Sequence, residues 1–161
     1  MSSAFSIEKK IASELKNYVA ASNLSAFMGD PLDKDNVFSF KSTVELDEKE
    51  EFPQKAINLL NTWGMHKYYI PVEHGGSLKS FEELISLVTV MSQYDLTLAI
   101  GHGKTLLGSV AVWVCGNDPM KSKVAHMINA GNTFSLAITE RDHGSDLMSS
   151  QVYALEVDNG Y

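Results

Sequence analysis

The chain has 161 residues, 44% of them hydrophobic and 20% charged, with neither Pro nor Gly enriched, so it can bury a core and is not a disordered chain. A formal charge of -7 with 13 scattered basic residues excludes a binder of nucleic-acid backbones. Cys115 is the only cysteine, which excludes an intrachain disulfide and a cysteine-based zinc site and makes a reducing, cytoplasmic compartment the default.

The N-terminal run lacks the basic head and apolar core of a signal peptide, and its acidic residues do not suit a transit peptide. Ile7, Ile11, Leu15 and Val19 recur at helical spacing and predict a first amphipathic helix. Residues 29–51 are polar and aperiodic, with Asp30-Pro31 near their start, and predict a connecting loop. Phe52, Ala56, Leu59, Leu60 and Trp63 predict a second helix, with Gly64 where a left-handed C-terminal residue is wanted. The following YYIPVEHGG turns the chain: Ile70 before Pro71 is biased to extended backbone, and Gly75-Gly76 permits a tight reversal.

Ser80, with Glu83 three residues on, has the pattern of a capping box, and Phe81, Leu84, Ile85, Val88 and Met91 form the expected buried stripe of a helix ending near Asp95. Residues 96–115 are apolar on most faces, contain Gly101, Gly103 and Gly108, and stop at Gly116; they predict a helix buried between others. Its most continuous apolar run, Leu106 to Cys115, is about half the ~20 residues of a membrane span, so no span is expected. Asp118 is the expected cap of a further helix, with Pro119 in its first turn and Gly131 closing it.

After Gly131 the period changes. Thr133 to Ile138 and Val152 to Val157 have strand-like composition, and Asn159-Gly160 is a two-residue hairpin signal just before the last residue. The expectation is a helical domain over residues 1–131 and the start of an incomplete β-domain over 132–161, in a piece of a longer protein.

Among the motifs, GHGKTLLGS ends like a phosphate-binding loop, but Leu98 stands where its first Gly is required, and Leu106 breaks the dinucleotide pattern. Helix packing is the better reading of those glycines. The five histidines have no metal-ligand spacing and read as surface or satisfied buried residues; Cys115 reads as a small buried hydrophobe at a helix end. No metal is expected.

The run AITERDHGSDLMS, residues 137–149, holds Ser, His and Asp together, yet a hydrolase triad must converge from separate elements, and no Gly-x-Ser-x-Gly elbow is present. A polar loop that ends an apolar strand can instead offer backbone N–H groups and hydroxyls to a ligand, with Thr139 and Ser145 as donors and Glu140, Arg141 and Asp146 pairing or capping the turn. A surface loop merely held by these charges is the equally weighted alternative.

Taken in order, YYIPVEHGG, CGNDPMKSKV, AITERDHGSDLMS and DNGY resemble the acyl-CoA dehydrogenases, from about Phe52 onward. The resemblance implies a mainly α fold: an N-terminal helical bundle followed by the first strands of a truncated middle β-barrel domain. It implies FAD as cofactor, which takes a hydride from the β-carbon of an acyl thioester while a glutamate removes the α-proton. By position, Leu136 and Ile138 would offer backbone groups and Thr139 backbone and hydroxyl to the flavin's pyrimidine edge. Ser145 would approach the FAD pyrophosphate and the pantetheine arm, and Gly103 and Leu107 would line the acyl pocket, with ordinary helix packing as their other reading.

His143 departs from the family pattern, standing where a small residue is usual. The family's catalytic base lies in a later helical domain, so no residue here is nominated as catalytic and the piece itself is expected to be inactive. The implied partners are an acyl-CoA or acyl-carrier-protein thioester, electron-transfer flavoprotein or a similar acceptor, and further copies of the complete protein in a homo-oligomer. Two other readings stand beside this one: a non-catalytic helical module that binds an acyl carrier or a protein partner, and a related flavin oxidase or monooxygenase.

Overall fold

The computed structural model describes residues 19–158. The first predicted helix therefore lies outside the described residues except for Val19, which opens α1 (Val19–Met28), and the Asn159-Gly160 hairpin lies outside them too. Five more helices follow: α2 (Phe40–Glu48), α3 (Gln54–Trp63), α4 (Phe81–Tyr94), α5 (Leu96–Cys115) and α6 (Asp118–Asn129).

The main core gathers Leu24 and Met28 of α1, Ala56 and Leu60 of α3, Leu87 and Met91 of α4, and Leu98 and Ala99 of α5 around Met65 and Tyr69. Each fully buried Leu or Met here contributes about 1.5–3 kcal/mol of apolar transfer. Met65–Tyr69 is a 3₁₀ turn entered through Gly64, whose φ of 98° is the left-handed conformation predicted for it. Tyr94, at the C-terminal end of α4, donates its hydroxyl to Gly29 O (2.7 Å), just past the end of α1. Because α1 and α4 also pack side by side, that shared end makes them run parallel.

The predicted loop over 29–51 contains α2, a correction. Ser39 caps this helix by accepting from Ser42 N (3.1 Å), and Asn36 fixes its approach through Met28 O (2.7 Å) and Phe38 N (3.0 Å). No residue of α2 is buried, so the helix is held without a core-facing stripe. Capping chemistry rather than apolar patterning makes it.

The turn after α3 behaves as read. Ile70 is extended (φ -113°, ψ 124°), Gly75 is left-handed (φ 81°), and a Cβ on Gly76 would stand 1.9 Å from Ile70 O. That close approach lets Leu78 N reach Ile70 O (3.0 Å) and tie the reversal shut.

α4 is capped by Ser80, which accepts from Glu83 N (3.2 Å), and it ends before Asp95 as predicted. Of its predicted stripe, Leu84 and Met91 are buried and Val88 packs against the core, joined by Leu87 and Val90, while Phe81 and Ile85 are 59% and 62% exposed. The helix carries apolar residues on more than one face, and packing against α1 and α5 selects between them.

α5 has the predicted bounds but is not enclosed on all sides. It buries Leu98, Ala99, His102, Thr105 and Ser109 and leaves Leu96, Ile100, Leu107 and Val114 exposed. By length and composition alone its 20 residues could cross a membrane, a test that the core helix of a folded domain passes as well. Its buried face carries His102 in a hydrogen-bonded network, which is what a helix packed into a protein core would show. Cys115, expected to be buried, is exposed at the end of α5, on the last turn beyond the core contacts.

α6 is capped by Asn117, which accepts from Met120 N (3.0 Å), rather than by Asp118, which is its first helical residue. Gly131 closes it with a φ of 85°. Residues 132–158 contain no strand in the described structure, so the strands expected at 133–138 and 152–157 are not formed there. A strand needs a laddered neighbour, and none of the described backbone supplies one to these segments.

Candidate functional site

The segment after α6 is positioned by a missing side chain. A Cβ on Gly108 of α5 would lie 2.4 Å from Ser135 N and 2.7 Å from Phe134 C, so only Gly lets the chain cross the helix here. Phe134 packs into the second apolar cluster, formed by Ile70, Val124, Ala125 and Ile128 with Val112 and Trp113. Beyond this anchor the chain leaves the helical body. Leu136 (49%) and Ile138 (47%) are exposed, as is Thr139. Among the described residues the N–H groups of Leu136, Ile138 and Thr139 donate to no backbone carbonyl.

Glu140 organises the loop that follows. Its N–H donates to His143 O (2.9 Å), and its carboxylate accepts from Ser150 Oγ, from Gln151 N (2.9 Å) and from Val152 N (2.8 Å). The Ser150 hydroxyl and then these two amides hold its carboxyl below the usual carboxylate range. Asp146 accepts from His143 Nδ1 (2.7 Å) and Gly144 N (3.0 Å), and His143 is the main cause of its lowered pKa. Glu140 and Asp146 thus clasp the turn, as their place in the sequence suggested.

Thr139, Glu140, Arg141, Asp142, His143 and Val152 line a hollow of about 380 Å³. Of the predicted cofactor residues, Thr139 belongs to this hollow, whereas Leu136, Ile138 and Ser145 do not line it. Nor do His143, Asp146 and Ser145 form a triad: the second ring nitrogen of His143 faces Gln151 Nε2 (3.2 Å).

On α5, Gly103 and Leu107 lie one turn apart on the open face. Leu107 is 56% exposed, and a Cβ on Gly103 would meet nothing within 4 Å. Close packing accounts for Gly101, whose Cβ would meet the Phe52 ring at 2.7 Å, and for Gly108, but in both cases against non-helical residues rather than a second helix, and not for Gly103.

On the buried side of α5, Tyr69 Oη lies 2.6 Å from His102 Nδ1 and His102 Nε2 lies 3.2 Å from Asn61 Oδ1. Burial, reinforced by neighbouring His66, pushes the His102 pKa down to about 4, so the ring is neutral at neutral pH. Burial also raises the Tyr69 pKa, so Tyr69 donates its proton to Nδ1 and His102 donates from Nε2 to Asn61. His66 is held low by burial and then by Lys67, partly opposed by the Asn61 carbonyl. Its buried Nδ1 has no hydrogen-bond partner among the described residues. An apolar helix face interrupted by His102 is the one sequence signal that could have located this network.

A profile described as acyl-CoA dehydrogenase, N-terminal domain, matches residues 40–132, more than half of the chain. The chain belongs to the acyl-CoA dehydrogenase family. It is similar to the probable acyl-CoA dehydrogenase FadE25 of Mycobacterium tuberculosis H37Rv, 29% identical over 111 residues, and to that of Mycobacterium leprae, 25% identical over the same length. These matches cover 68% of this chain but only 28% of the relatives. No solved structure matches the chain.

Proposed function

We propose that this chain supplies the helical domain and the flavin-facing segment of an FAD-dependent acyl-thioester dehydrogenase that forms 2,3-enoyl thioesters. The observation that carries this reading is the crossing at Gly108, beyond which residues 136–139 are exposed and their N–H groups donate to no backbone carbonyl among the described residues. That donor set fits a flavin's pyrimidine edge: backbone N–H groups from Leu136, Ile138 and Thr139, the Thr139 hydroxyl, and apolar side chains beside them. FAD, when bound, accepts a hydride equivalent from the substrate's β-carbon.

The chain's own residues bind and orient. Donors fixed before reaction cost no reorganisation when charge builds on the ring they face. The Ser145 hydroxyl would serve the pyrophosphate or the thioester's pantetheine arm, and the open face at Gly103 and Leu107 would take acyl carbons. The acidic chain and its lone cysteine suit a reducing, cytoplasmic setting.

The test is flavin absorbance in a polypeptide that joins this chain to the remaining length of its relatives. Thr139→Val should bind FAD several-fold more weakly than the parent. A parent polypeptide that folds and carries no flavin overturns the reading. Saturable binding of acyl carrier protein to this chain alone, without flavin in the longer polypeptide, would favour a non-catalytic module instead.

A further inference from the structure

The loop after Thr139 is bridged from the inside by one side chain. Every residue from 141 to 158 is exposed except His143, whose ring is turned into the loop and keeps 21% of its side-chain surface, against 54% for Asp146. This is also the position at which the chain departs from the family pattern. The two ring nitrogens reach different parts of the loop: Nδ1 lies 2.7 Å from Asp146 Oδ2, and Nε2 lies 3.2 Å from Gln151 Nε2. Both partners are themselves held. The Gln151 backbone N–H donates to the Glu140 carboxylate (2.9 Å), and Asp146 opens the 3₁₀ turn Leu147–Ser149, where Ser149 N donates to Asp146 O (2.8 Å).

The bonds have a direction. A carboxylate only accepts, so in the neutral ring the proton sits on Nδ1, and Nε2 is left as an acceptor for the Gln151 amide. Asp146 uses its other oxygen as well, taking Gly144 N at Oδ1 (3.0 Å). One carboxylate thus holds the two residues before Ser145, and Ser145 is enclosed between the acceptor and its two donors. A Cβ on Gly144 would meet nothing within 4 Å, so packing does not fix this stretch and the hydrogen bonds do.

We propose that His143 is a positioning residue: by bridging Asp146 and Gln151 it sets where the Ser145 hydroxyl stands toward a bound cofactor or thioester. His143 acts through Asp146 and is not itself a ligand contact. The ligand served by Ser145 rests on the flavin reading, whereas the bridge does not.

Nitrogen-15 spectra of the whole chain test the bridge. The neutral His143 ring should show the Nδ1–H tautomer. In His143→Ala the Gly144 amide should exchange with solvent several-fold faster and the Ser145 amide shift should move. His143→Asn, whose side-chain N–H₂ can stand in for Nδ1–H, should restore both. In the polypeptide that joins this chain to the remaining length of its relatives, Ser145→Ala should weaken FAD binding several-fold, yet add little in the His143→Ala background. If no flavin binds there, the flavin reading falls, while the tautomer and the Ser145 shift still decide whether His143 sets the place of Ser145. An Nε2–H tautomer in the parent chain, Gly144 exchange and a Ser145 shift unchanged in His143→Ala, or FAD losses that simply multiply would each overturn the assignment.

Discussion

Gly108 and Ser135 approach so closely that a single added carbon on the helix would stand 2.4 Å from the Ser135 nitrogen. A sheet edge or a cap does not hold the segment; a gap in a helix surface does. The same helix offers a control in Gly103, whose added carbon would meet nothing.

The two glycines should therefore respond with opposite signs. Gly103→Ala should stabilise the chain by about 0.5–1 kcal/mol, because Ala loses less backbone entropy in a helix. Gly108→Ala should cost about 1–3 kcal/mol, since backbone rather than a flexible side chain must move. Urea unfolding of the two variants checks this, and amide shifts of residues 134–139 should change only in the second.

Acid should weaken the helical body before the carboxylates titrate. His102 has its pKa depressed to about 4 in the fold and near 6.5 when unfolded, so its contribution is present in full above pH 6.5 and is lost as pH falls toward 4. Between neutral pH and pH 5 the loss should be about 2 kcal/mol. His66, lowered in the same direction, adds to it. Chemical denaturation at the two pH values, compared with His102→Gln, measures the effect; an unchanged pH dependence in the variant would contradict it.

Tyr69→Phe should keep the ring packing and leave His102 Nδ1 buried without its donor, at a cost of about 1–3 kcal/mol. A double-mutant cycle with His102→Gln should return a coupling well above zero. If the two substitutions simply add, the 2.6 Å contact contributes nothing of its own.

Glu140→Gln should loosen the loop without touching the helices. The neutral amide is a weaker acceptor for the Gln151 and Val152 amides, so both should exchange with solvent several-fold faster, while amides of α4 keep their protection. Hydrogen exchange read residue by residue distinguishes this local change from global destabilisation.

Much of the helical body was legible because caps and breakers are local. Ser80, Gly64 and Gly131 mark their boundaries by their own conformations, and the limits of α5 follow from Asp95 and Gly116. Faces were less legible. Phe81 and Ile85 continue an apolar period as well as Leu84 and Leu87 do, and only the position of α1 decides which pair is buried. α2 was not predicted because it is short, polar and contributes no residue to the core.

At the candidate site the division is similar. AITERDHGSDLMS announces its chemistry in residue types, and the clasp of Glu140 could be anticipated from them. The crossing at Gly108 could not, since it joins positions 27 residues apart through empty space rather than through a recognisable pair. Asn61, His66 and Tyr69 are likewise unremarkable in sequence until the turn at Gly64 brings them to His102.

The bond from Tyr94 to Gly29 spans 65 residues and joins helices that run in the same direction. Parallel neighbours cannot be linked by a short turn, so α2, α3 and the 3₁₀ turns Met65–Tyr69 and Val72–His74 are the return path of the chain. During synthesis α1 emerges well before its partner and must wait, with Leu24 and Met28 uncovered, until α4 arrives. That delay makes the closing of α1 on α4 a late, long-range event in folding.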